Sequence, residues 1–208
     1  MLQTDFVPAQ EKGSRHLMVV LHGLGDSMEG YRFLPQVMQL PWLNYLLVNA
    51  PDEYYGGYAW FPYPSDNMTP AVKRSRELLF ELLDEQGKKG FRSDETYMFG
   101  FSQGCMMSVE IGMRYPHKLA GIIGISGWAH EPDNLLADQA PTAKDQKFLI
   151  THGTMDPMVP FSMAKDRFEQ LSKGGIDIDW HSFPKEHTIH GEPEMKLIRD
   201  FVLARRNR

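Results

Sequence analysis

A serine flanked by glycines, an aspartate in a turn closed by two prolines and a histidine in a polar loop are the residue types of acyl transfer, and this chain carries them in that order. Ser102 stands in Gly100-Phe101-Ser102-Gln103-Gly104, behind the apolar run Tyr97-Met98-Phe99 and ahead of a helix-like stretch from Cys105 to Tyr115. Glycine on both sides suits a tight strand-to-helix turn, where a Cβ would crowd the neighbouring backbone. Such a turn lifts the Ser102 hydroxyl above the sheet edge and aims the Gln103 N–H at the place where a tetrahedral oxyanion forms. A protonated hydroxyl is a poor nucleophile, so it needs a base. An imidazole base in turn needs a carboxylate to hold its tautomer and stabilise the imidazolium. Asp156 lies in His152-Gly153-Thr154-Met155-Asp156-Pro157-Met158-Val159-Pro160 and is the candidate carboxylate. His187, in Pro184-Lys185-Glu186-His187-Thr188-Ile189-His190, is the first candidate base, and His190 stays open as the second because either could reach the serine.

These residues need elements that bring them together. Leu17–Leu21 reads as a buried strand running into His22-Gly23-Leu24-Gly25-Asp26, and Leu46–Ala50 as another, closed by Pro51. Pro70 to Gln86 is an amphipathic helix with proline in its first turn. Strands are expected at Tyr97, within Leu119–Ile125, at Phe148–Thr151 and at Ile178–Phe183, with helices after the serine, from Ser162 to Lys173, and ending near Ala204. Strands alternating with helices predict a mostly parallel sheet covered on both faces. Reactive groups in such a sheet collect at the carboxyl ends of the strands, and Ser102, Asp156 and His187 each follow one. His22 and His152 sit in glycine-bearing loops and are expected to shape them, whereas His16, His117, His130 and His181 belong to no motif. The polar Asp133–Asp145 stretch reads as a surface excursion.

With 208 residues, 42% hydrophobic and 24% charged, the chain fits one globular domain spanning residues 1–208 and excludes disordered and fibrous classes. A net charge of −5 with intermixed signs offers no basic face for nucleic acid; only Arg205-Arg206-Asn207-Arg208 is locally basic, at a helix end where cations suit the dipole. Neither a signal peptide nor a membrane span is read, and the single cysteine, Cys105, reads as a packing residue. Together these predict a cytoplasmic protein.

The His22–Asp26, Gly100–Gly104 and His152–Pro160 motifs resemble those of the phospholipase/carboxylesterase family, which includes acyl-protein thioesterases, and the resemblance spans nearly the whole chain. It implies an α/β-hydrolase fold without a large cap domain and a catalytic Ser102, Asp156 and His187. It further implies an oxyanion hole from the backbone N–H groups of Leu24 and Gln103, with neither metal nor organic cofactor. The chain departs from the family pattern where Glu186 precedes the histidine in place of glycine and where Pro193-Glu194 arrives late, which lengthens the histidine loop. Cys105-Met106-Met107 replaces the small residues that commonly open the next helix.

The aromatic loop Tyr54–Pro64 is suited to walling an apolar acyl pocket, with Trp60 and, from Ser126-Gly127-Trp128, Trp128 as the candidate pocket residues; it is equally suited to packing on the core or to a homodimer contact. The expected activity is hydrolysis of short to medium acyl esters through an acyl-enzyme. Thioester (acyl-protein) and lysophospholipid substrates are the alternatives within the class, and a catalytically silent binding module is the alternative outside it.

Overall fold

Residues alternate in side-chain direction along a strand, so a strand covered on both faces must be apolar at every position. Leu17–Leu21 meets that condition: Leu17, Val19 and Leu21 enter one core cluster while Met18 and Val20 enter another, all buried. The structure, a computed structural model, describes residues 1–65 and 67–206; the Asn207–Arg208 end of the basic tail lies outside the described residues.

Seven strands form the main sheet: β1 (Thr4–Val7), β2 (Leu17–Leu21), β3 (Asn44–Val48), β6 (Thr96–Phe101), β7 (Gly121–Ile125), β8 (Phe148–Gly153) and β9 (Ile178–Phe183). The short hairpin β4 (Asp52–Tyr54) and β5 (Gly57–Ala59) stands apart. Strand order is β1-β3-β2-β6-β7-β8-β9, parallel throughout except for β1, which pairs antiparallel with β3. Helices α2 (Thr69–Lys88), α3 (Gln103–Arg114), α4 (Pro132–Ala137) and α5 (Phe161–Lys173) pack on one face; α1 (Leu34–Met38) and α6 (Glu192–Leu203) cover the other. No cap domain is built from the described residues.

The expected elements are present, and the differences from expectation are local. The strand expected at Leu46–Ala50 starts and ends two residues earlier, because its register is set by β2, with Leu17 opposite Asn44. The Asp133–Asp145 stretch is not wholly a surface excursion: it contains α4, whose Leu135 is buried, and Ala143 is buried beyond it. Strand β1 is half-buried, and the hairpin lies inside the aromatic loop; neither carries a periodic signal of its own. The two described arginines of the tail lie over aromatic rings, Arg205 at 3.6 Å from the Phe201 centroid and Arg206 at 4.6 Å from that of Trp42.

Candidate active site

Ser102 is the single residue between the end of β6 and the start of α3, and its backbone sits at φ 55, ψ −114. That conformation costs a non-glycine residue about 1–3 kcal/mol and persists only where the surroundings impose it. Here the Ser102 N–H donates to the Ile125 carbonyl at 2.9 Å, tying the turn to β7. The flanking glycines answer to close approach: a Cβ on Gly100 would lie 2.1 Å from the Gly104 carbonyl oxygen, and one on Gly104 would lie 2.1 Å from that of Leu21.

The strand ends then bring three side chains into line. His187 Nε2 is 2.9 Å from Ser102 Oγ, and His187 Nδ1 is 2.7 Å from Asp156 Oδ2. Asp156 is buried, and its other oxygen accepts the N–H groups of Met158 and Val159, both at 2.9 Å, so the carboxylate is held as an acceptor toward the ring. With Nδ1–H directed at Asp156, the Nε2 lone pair faces the serine hydroxyl. His190 turns elsewhere: its ring packs on Phe183 at 5.3 Å, and its N–H donates to Glu194 Oε2 at 2.6 Å. The other oxygen of Glu194 accepts from Lys185 Nζ at 2.6 Å, with both side chains buried. Burial lowers the Lys185 pKa, and the Glu194 carboxylate opposes that shift. One carboxylate thus fastens the histidine loop on either side of His187. The Lys185 carbonyl also accepts the Met155 N–H at 3.1 Å, which joins this loop to the aspartate turn.

The other two loop histidines are structural. His152 lies 3.7 Å from Asp156 Oδ2, but its Nε2–H donates to the Val159 carbonyl at 2.9 Å and its ring stacks on Trp180. His22 donates from Nδ1 to the Gly23 carbonyl at 2.6 Å and accepts the Ala50 N–H on Nε2 at 3.0 Å. Burial lowers the pKa of both, which keeps them neutral. Since C=O and N–H of a trans peptide point opposite ways, pinning the Gly23 carbonyl to His22 turns the Leu24 N–H away from that ring. The β4–β5 hairpin braces the same loop: Gly25 N–H donates to the Tyr58 carbonyl and Tyr58 N–H to that of Asp26, both at 2.9 Å.

Leu24 and Gln103 line an apolar cavity of about 280 Å³ with Ser102 and His187. The Leu24 N–H has no acceptor among the described residues, and the Gln103 N–H opens α3, where first-turn amides lack an intrahelical partner. The Gln103 side chain faces inward, accepting the Trp60 N–H and donating to the Phe61 carbonyl, both at 3.0 Å.

Trp128 lines the cavity, edge-on to Phe61 at 6.1 Å, whereas Trp60 does not. Trp60 is fully buried, with its indole N–H donating to the His22 carbonyl at 2.9 Å, so its part is to support the Leu24 loop from behind. The wall is completed by Tyr63, Phe101, Met158 and Val159. Three of these lie in motifs visible in the sequence, yet a motif does not say which way its side chains point. Lys185 and Glu194 carry no catalytic signature, and the signal available for Glu194 was its place in the first turn of a helix after the loop. Cys105 packs beneath the turn, and burial pushes its thiol up to about 12. Among the described residues no group of three or more His, Cys, Asp or Glu is arranged to hold a metal, and no helix is long and apolar enough to cross a membrane.

A doubly covered, mostly parallel sheet with a serine on a strained turn at a central strand end defines an α/β-hydrolase. Over residues 2–205 the sequence matches the phospholipase/carboxylesterase family, and the chain belongs to that family of hydrolases. An acyl-protein thioesterase 1 of Schizosaccharomyces pombe is 32% identical over 156 residues, 69% of each chain. That of Debaryomyces hansenii is 27% identical over 219 residues, 94% of each. Among solved structures, esterase PE8 superposes with a TM-score of 0.85 at 28% identity, covering 98% of this chain and 99% of its own. The Bacillus cereus carboxylesterase shares the fold at a TM-score of 0.83 and 16% identity, covering 98% of this chain and 94% of its own.

Proposed function

We propose that the chain is a serine carboxylesterase acting on short to medium acyl esters through an acyl-enzyme. The observation that carries this reading is the unbroken line Ser102–His187–Asp156, at 2.9 and 2.7 Å, at the edge of an apolar cavity. Ser102 Oγ attacks the acyl carbonyl as its proton passes to His187 Nε2, and the negative charge on the former carbonyl oxygen is met by the Leu24 and Gln103 amides. Collapse of that intermediate breaks the bond to the leaving oxygen, which takes the proton from Nε2. Water then attacks the acyl-Ser102 ester by the same route, releasing the acid and restoring the hydroxyl. Asp156 keeps the ring oriented and stabilises the imidazolium.

A thiolate leaving group fits the same steps. The similarity to proteins named acyl-protein thioesterase favours thioesters as the second reading.

The test is hydrolysis of p-nitrophenyl esters of graded chain length by the wild type and by Ser102→Ala, His187→Ala and His190→Ala. Loss of about 10⁴-fold or more is expected for the first two variants, with His190→Ala far milder. Rates should rise with chain length until the cavity is full. Loss with His190→Ala in place of His187→Ala would move the base. A wild type inert on every ester yet active on acyl thioesters would select the second reading, and one inert on both would point to a silent binding module.

A further inference from the structure

His187 separates two cavities. On one side lies the apolar cavity that holds Ser102, Leu24 and Gln103; on the other is a more open cavity of about 350 Å³ lined by Asp26, Tyr31, Phe33, Phe101, His187 and Ile189. Asp26, Phe101 and His187 face both, so the two meet across the reacting centre. A carbonyl held against the Leu24 and Gln103 amides puts its acyl half in the apolar side. The leaving group takes its proton from His187, which borders both cavities, so with the acyl half in the apolar one the space left to it beside that ring is the second.

The electrostatics of that path are one-sided. Apart from His187, Asp26 is the only ionisable acid or base at pH 7 among the described residues lining either cavity. Its carboxylate is exposed, and Oδ1 accepts the Ser27 N–H at 2.7 Å. Gly30 leaves it room: a Cβ there would lie 2.6 Å from Asp26 Oδ1. No described cation pairs with it, because the arginine of the same segment, Arg32, is engaged by Glu29 and, at 2.8 Å, by Asp5. Phe33 and Phe101 add aromatic surface beside the carboxylate, the combination that receives an ammonium ion through charge and ring quadrupole together.

Resting on the esterase reading above, we propose that the second cavity is a leaving-group subsite and that Asp26 makes it selective for alcohols or thiols bearing a positive charge, the amino-alcohol and quaternary ammonium class. Asp26 is here a specificity-determining residue and takes no part in the bond changes.

The experiment compares two esters of one shape, butyrylcholine and 3,3-dimethylbutyl butyrate, in which a carbon replaces the charged nitrogen, on the wild type and on Asp26→Asn. Asparagine keeps an oxygen for the Ser27 N–H and removes the charge. A charge pair near the surface predicts a preference of about fivefold in kcat/KM for the choline ester, shrinking as salt is raised, and a ratio near one in Asp26→Asn. The ratio is read on one enzyme at a time, so a change in its basal rate cancels. A second measurement needs no variant: tetramethylammonium should compete with the neutral ester, whereas tert-butanol at matched concentration and ionic strength should not. A wild-type ratio near one, a ratio unchanged in Asp26→Asn, or equal inhibition by the two additives would overturn the subsite while hydrolysis of the neutral ester leaves the esterase reading intact. Hydrolysis of neither ester, with Ser102 unlabelled by a phosphonate probe, would overturn both.

Discussion

Removing Glu194 should disable the enzyme from a position that touches no substrate. Its two carboxylate oxygens hold Lys185 Nζ and the His190 N–H, each at 2.6 Å, and so fasten both flanks of the loop that carries His187. In Glu194→Ala the Lys185 side chain, 1% exposed, keeps a buried ammonium without its ion-pair partner, with only the more distant Asp156 carboxylate acting on it. Breaking a buried pair from one side costs about 3–5 kcal/mol, a large share of the roughly 5–15 kcal/mol that holds a domain folded. At about 2–4 °C per kcal/mol for a chain of this length, the melting temperature should fall by about 10 °C. The loop should also shift in the variant that remains folded. A displacement on the order of 1 Å at His187 is worth about 10²-fold in kcat. Lys185→Met combined with Glu194→Met removes the orphaned charge and should melt above Glu194→Ala, though still below the wild type because the unpaired His190 N–H costs about 1–3 kcal/mol. Calorimetry alongside kcat, measured well below each transition, separates the two effects. If Glu194→Ala melted within 2 °C of the wild type, a limit set from about 0.5–1 kcal/mol, and kept its kcat, the clamp argument would be wrong.

Two further outcomes follow from the same geometry. His22 and His152 are buried and their pKa values are lowered by that burial, so the unfolded chain binds protons that the folded chain refuses. Their contribution is intact above the unfolded value near 6.5 and is lost as pH falls from there toward the lowered folded values, by up to about 1.4 kcal/mol per pH unit for each; urea midpoints between pH 7 and 5 should show that slope, and His152→Phe should make it shallower by one histidine's share, the rest staying with His22 and with His16 and His130, which burial also lowers. Gly104→Ala, whose Cβ would meet the Leu21 carbonyl at 2.1 Å, should cost about 3 kcal/mol or more and shift the Gln103 amide, whereas Gly87→Ala in α2, with nothing within 4 Å, should stabilise by about 0.5–1 kcal/mol in the same denaturation assay.

The sequence alone was sufficient for the features that local chain geometry imposes. Glycines at 100 and 104 announce a turn because only a residue without Cβ tolerates carbonyls so close, and the apolar runs at 17–21 and 148–150 announce strands covered on both faces. The proline-bounded aspartate turn is equally local, since the amides that Asp156 accepts lie two and three residues ahead of it. What tertiary structure decided is which way side chains face once distant segments meet. His187 and His190 share one loop, and the choice of which faces Ser102 comes from Glu194 on the following helix and Met155 on the neighbouring turn, neither of which acts through local propensity. Trp60 and Trp128 are equally plausible wall residues by type, yet Gln103 and His22 hold the first inside while the second borders the cavity. Strand β1 and helix α4 are too short to declare themselves and form because a sheet edge and α5 are there to receive them. Backbone sterics and hydrophobic period act over a few residues and are written in order along the chain, whereas contact across many residues is set by the sum of packing and has no local signature.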